Sequence, residues 1–132
     1  MAKRNNGKRQ RQIPPTYDDV IELAREIWNR DVTKERAFSS EDRDFRSFFG
    51  CPVEVFLTLW NLLHKHALIP ENGMLKHLLW ALLFIKSYAT LRTLCSLAGG
   101  IDKETYMIWV WRFLDNIILL EPHVVSFVFI YY

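Results

Sequence analysis

Four groups of side chains in this sequence have types that chemistry can use. They are the basic cluster Lys3, Arg4, Lys8, Arg9 and Arg11, the acids Glu41, Asp42 and Asp44, the pair His64 and His66, and the thiols Cys51 and Cys95. Three carboxylates within four residues could hold a metal or share a proton. They follow Ser39-Ser40 at a predicted helix start, however, where acids oppose the helix dipole without performing chemistry. His64 and His66 are spaced i, i+2, which turns helical side chains away from each other, and no cysteine or carboxylate stands at i+4 to complete a ligand set. His77 and His123 are isolated in the chain. Two cysteines make neither a disulfide framework nor a zinc site, and both sit in or beside apolar helical runs, as buried free thiols do. No catalytic residue, metal or cofactor is expected from these groups, and the chain does not read as an enzyme. The basic cluster is the exception: five cations and no acid in residues 1–15 make a phosphate-tracking arm or a nuclear import signal, or else a solubilising tail. Any such role acts through charge number and is therefore salt-sensitive.

The elements that must position these groups are helical. The chain has 132 residues, half of them apolar and 14% aromatic, enough to bury one core and far from a disordered composition. The net charge of +2 belongs to the tail, because acids outnumber bases over 16–50 and the two balance from Cys51 onward. No uncharged run approaches the ~20 residues of a membrane helix, and no apolar core follows the N-terminal charges as in a secretory signal. An intracellular, soluble protein without a membrane partner is expected, nuclear if the cluster is an import signal and otherwise cytoplasmic.

Residues 1–15 read as a disordered basic tail closed by Pro14-Pro15, and 16–122 as one helical domain. Thr16 is a good N-cap for a helix over 17–30, with Val20, Ala24, Ile27 and Trp28 on one face. A charged loop at 31–36 precedes a helix carrying Phe45, Phe48 and Phe49, which stops at Gly50. A helix after Pro52 turns Phe56, Leu59, Trp60 and Leu63 inward. Residues 74–87 are apolar nearly all round, as in a central helix. A short helix over 91–98 breaks at Gly99-Gly100, and Asp102 caps a long helix to about Leu120. Residues 123–132 form an apolar stub with strand propensity and a risk of aggregation. The fold class is all-α: a small helical bundle in which 74–120 has the outline of a helix-turn-helix.

The wording of the sequence adds a family likeness. FRSFFG (45–50), KHLLWALLFIKSYAT (76–90), LAGGIDKETY (97–106) and WVWRFLDNI (109–117) together resemble the N-terminal helical region of DDE-superfamily transposases, most of all Harbinger-type transposase-derived proteins. The likeness covers about residues 43–123. It implies a helix-turn-helix that binds DNA, and a catalytic sheet with three metal-binding carboxylates that lies beyond this region. No Asp or Glu follows Glu121, so none of that chemistry carries over, and the chain reads as a truncated or remnant product.

The DNA-binding implication carries over only in part. The groove-facing positions at the start of the recognition helix are Lys103, Glu104, Met107 and Ile108. Lys103 and Arg112 supply that helix's positive charge, Arg92 adds one on the short helix before it, and Glu104 opposes them. A helix contacting several phosphates needs more cations on one face. The last helix is also apolar twice over. Tyr106, Trp109, Val110, Phe113 and Ile117 make one face, while Ile108 and Trp111 lie opposite, between Glu104 and Asp115. A second apolar face has to meet another copy of the chain or a transposase-derived partner, or else stay exposed and sticky.

Overall fold

A computed structural model of the chain describes residues 13–39, 41–87 and 89–122, and among these it contains helices and no strand. The protein is all-α, a small bundle of six helices among the described residues. The basic cluster of the tail and the C-terminal stub 123–132 lie outside the described residues.

Helix α1 (Tyr17–Arg30) starts where a capping box closes. The Thr16 hydroxyl accepts from the Asp19 N–H at 3.2 Å, and the Asp19 carboxylate accepts from the Thr16 N–H at 2.9 Å. Its buried stripe is Val20, Ile21, Ala24, Ile27 and Trp28. The charged loop that follows folds back onto this helix. The Trp28 indole N–H donates to the Arg36 carbonyl at 3.1 Å, and the Lys34 ammonium lies 4.3 Å from the Trp28 ring and 4.8 Å from the Phe48 ring.

Helix α2 (Glu41–Phe49) buries Phe45, Phe48 and Phe49 and ends at Gly50, whose φ of +90° is the left-handed conformation that glycine tolerates. Helix α3 (Val53–Lys65) begins one residue after Pro52, which serves as an extended cap rather than as the first helical residue. Phe56 and Leu63 of α3 are fully buried, while Leu59 and Trp60 pack at the edge of the core.

Helix α4 (Leu75–Lys86) is the central element that its composition predicts, packing against α1, α2, α6 and the short helix α5 (Leu91–Leu97). Helix α6 (Lys103–Leu119) runs antiparallel to α4: Trp109 lies against His77 near the start of α4, and Tyr106 against Trp80 further along. The Tyr106 hydroxyl donates to the Trp80 carbonyl at 3.1 Å, which satisfies its polar end inside the core. Burial holds this phenol well above its ordinary pKa, so it stays neutral. Near the other end of α6, the Asn116 amide donates to the Leu68 carbonyl at 2.7 Å and pins the α3–α4 loop.

Candidate functional site

The helix-turn-helix-like outline is present as α4, α5 and α6. Thr90 caps α5, its hydroxyl accepting from the Thr93 N–H at 3.2 Å. The chain then leaves α5 through two glycines with φ of +110° and +81°. The Gly100 N–H donates to the Cys95 carbonyl at 2.9 Å, closing the end of α5 as a Schellman turn does. Asp102 caps α6 by accepting from the Thr105 N–H at 3.3 Å, and its hydrogen bonds from Thr105 hold its carboxyl below the usual range. Arg30 reaches from α1 to this turn. Its guanidinium donates to the Leu97 carbonyl at 3.0 Å and lies against Gly99.

The structure separates the predicted cations. Arg92 is exposed in the first turn of α5, and Lys103 is exposed as the first residue of α6. Arg112 is also exposed, but it stands nine residues along α6 from Lys103, half a turn out of phase, so the two project from opposite sides. Arg112 instead lies 5.2 Å from the Trp109 ring of its own helix. Lys103 and Arg112 therefore do not share one face of α6. Met107 is half-buried against the core, which leaves Lys103, Glu104 and Ile108 as the exposed members of the predicted groove-facing set.

The outer face of α6 is apolar. Ile108 is 48% exposed, Trp111 54%, Ile118 63% and Leu119 58%, and Glu104, Arg112 and Asp115 are the charged residues among them. The sequence reading names Ile108 and Trp111; the structure extends that face by Ile118 and Leu119. Their phase was visible in the sequence, since all four fall on one side of an ideal helix. The inner face of the same helix buries Tyr106, Val110 and Phe113 completely.

Two titratable groups are buried in contacts that their local sequence does not announce. Asp44 is a helix-start acid that is buried: it is 1% exposed and receives two hydrogen bonds from the Arg36 guanidinium, one of them at 2.8 Å, and one from the Ser39 N–H at 3.2 Å. His77 stands in the first turn of α4. It is buried, stacked on Trp109 with ring centroids 3.8 Å apart, and its Nδ1 accepts from the Met74 N–H at 3.0 Å. Burial and the neighbouring Lys76 lower its pKa to about 4, so the imidazole is neutral and serves as the reciprocal half of a helix cap. Both groups hold a helix start, Asp44 by tying the 36–39 loop to α2 and His77 by closing the cap of α4.

The remaining candidates stay apart. His64 is exposed and lines a cleft of about 550 Å³ with Pro14, Leu23, Trp60, Met74 and Lys76, whereas His66 does not reach it. Cys95 is buried and Cys51 half-buried; both are free thiols, and burial raises both pKa values, which disfavours the reactive thiolate. Among the described residues no three His, Cys, Asp or Glu side chains converge on a point that could hold a metal. No described helix is long and apolar enough to cross a membrane. Comparison with family models, curated proteins and solved structures finds no match to this chain.

Proposed function

We propose that the chain is a non-catalytic, DNA-binding helix-turn-helix module of a transposase-derived protein. The observation that carries this reading is the α4–α5–α6 unit with its glycine turn and two exposed cations, Arg92 and Lys103, each in the first turn of its helix. In helix-turn-helix recognition the first helix crosses the phosphate backbone while the N-terminal residues of the second approach the groove, and Arg92 and Lys103 occupy those places. The tail cluster Lys3, Arg4, Lys8, Arg9 and Arg11 adds sequence-independent phosphate contacts. The likeness of 45–50, 76–90, 97–106 and 109–117 to Harbinger-type transposases supports the same assignment.

The test is the salt dependence of binding to random duplex DNA. Each neutralised phosphate contributes ~0.9 to the slope of log K against log salt, so replacing Arg92 and Lys103 together by Ala lowers that slope by about 2. Arg112→Ala leaves the slope unchanged, because Arg112 projects from the other side of α6. An unaltered slope in the Arg92/Lys103 variant refutes the assignment to this unit and leaves the tail as the DNA contact.

A second reading rests on the outer face of α6, where Ile108 and Trp111 are about half exposed beside Ile118 and Leu119. That face is suited to protein rather than to phosphate, and its charges include Glu104 and Asp115. It makes the module a docking surface as well.

A further inference from the structure

We propose that the outer face of α6 pairs with the same face of a second copy, the two helices running antiparallel. This deepens the docking reading of that face by naming its occupant.

The exposed positions Glu104, Ile108, Trp111, Asp115 and Ile118 recur at alternating spacings of four and three, the seam of a coiled coil, and Arg112 and Leu119 flank it on one side. A helix of this kind closes with itself in either of two directions, and charge decides between them. A parallel pair sets Asp115 beside the partner's Asp115 and Glu104 beside the partner's Glu104, which repel. An antiparallel pair centred near Phe113 sets Trp111 and Arg112 beside the partner's Asp115, and the symmetry repeats both contacts. It also sets Ile108 against the partner's Ile118 and the partner's Leu119. Ile108, Ile118 and Leu119 then meet apolar partners, and Trp111 turns its indole N–H toward the partner's Asp115.

Asp115 would be awkward at the centre of an apolar seam if it stood alone, since a desolvated carboxylate needs compensating hydrogen bonds. In the antiparallel arrangement the partner's Arg112 and the partner's Trp111 indole N–H both lie where they can supply them. Within one copy Asp115 forms no ion pair or side-chain hydrogen bond among the described residues. Such a contact is isologous, as closed two-fold dimers require. It also leaves Lys103 free, because that residue projects from a different side of α6. A 17-residue helix is only about 25 Å long, so the pair buries less than the ~1,600 Å² of a standard interface, and association in the micromolar range is expected.

The experiment is sedimentation of the full chain from about 1 to about 200 µM, spanning that range. The wild type should move from monomer to dimer, and Trp111→Ala should weaken the dimer at least about tenfold, as an aromatic anchor does when it is lost from both halves. The decisive arm uses charge. Arg112→Asp and Asp115→Arg each place like charges together and should dissociate the dimer. Mixing the two single variants restores both ion pairs and should restore association as a heterodimer; the double variant should restore the homodimer. Circular dichroism on each variant separates loss of pairing from loss of fold. A wild type that stays monomeric throughout overturns self-pairing, while the face remains available as a contact for a different chain. A dimer indifferent to Trp111→Ala and to both charge reversals overturns self-pairing through α6, because association then lies elsewhere.

Discussion

Lowering the pH from about 7.5 to about 5 sets protonation of His77 against the fold, and the size of the effect follows from its surroundings. The folded pKa is depressed from the ordinary 6.5 to about 4. The stability this histidine contributes is therefore complete above 6.5 and is lost as the pH falls toward about 4, because the unfolded chain binds the proton more readily. The linkage integral between those values reaches about 2 kcal/mol at pH 5; allowing for solvent near the helix start, about 1–2 kcal/mol remains. For a domain of this size that is a fall of about 5–10 °C in Tm. The structural reason is specific: Nδ1 must stay unprotonated to accept from the Met74 N–H, and the stacked Trp109 ring leaves little water to solvate an imidazolium. Thermal unfolding followed by circular dichroism across this pH range gives the wild-type curve, and His77→Gln gives the control. Glutamine at this third position can still reach back to the cap but does not titrate. The variant should lose about 1 kcal/mol at neutral pH for the missing ring stack, and its stability should then change less on acidification than that of the wild type. If both proteins lose equal stability between pH 7.5 and 5, the titrating group is not His77 and the reasoning fails.

Two further stability predictions follow from the local geometry. Arg36→Met removes the two guanidinium hydrogen bonds of the buried Asp44 carboxylate and should cost more in urea unfolding than Asp44→Asn does. Asp44→Asn should cost only about 1 kcal/mol, because the half-exposed Arg36 side chain can return to water. Equal losses would show that the pair is valued for contact rather than for charge. At the α5–α6 turn, Gly99→Ala at φ +110° should destabilise by about 2 kcal/mol and Gly100→Ala at φ +81° by about 1 kcal/mol. The cost at Gly100 is conformational, since no atom lies within 4 Å of a Cβ placed there. A neutral Gly99→Ala would mean that the turn is not held in this conformation.

What the sequence revealed and what it concealed divide by distance along the chain. The start of α1 was legible because Thr16 and Asp19 close their cap within three residues, and the end of α2 because Gly50 stops it locally. The buried stripe of α6 was legible because Tyr106, Val110 and Phe113 fall in phase on any ideal helix. His77 was not legible, because the ring that defines it, Trp109, is 32 residues away and meets it only through the antiparallel packing of α4 and α6. Asp44 obeys a local rule that places acids at helix starts, and that rule hid its partner, since Arg36 precedes the helix and reaches it through a folded loop. The phase difference between Lys103 and Arg112 belongs to a different class. Nine residues of helix put them on opposite sides whatever the tertiary fold, so periodicity alone separates them.

The residues on the outer face of α6 cannot be explained by what the bundle needs. Tyr106, Val110, Phe113 and Leu120 already complete the inner side, and none of Ile108, Trp111, Ile118 or Leu119 is required to fill it. Isoleucine and tryptophan are weaker helix formers than alanine, lysine or glutamate, so an exposed helix built for stability alone would not choose them. Leaving four large apolar side chains half in water forgoes most of the transfer free energy that their burial would release, about 1.5–3 kcal/mol each if complete. The fold thus gains nothing from exposing this surface, which is what the proposed pairing through α6 requires. Ile108→Lys together with Ile118→Lys should therefore leave the Tm of a dilute sample within about 5 °C of the wild type, since each substitution at such an exposed site changes stability by ~0.5 kcal/mol or less. A marked loss of monomer stability in that variant would mean that these side chains belong to the core, and the case for an interface on α6 would go with them.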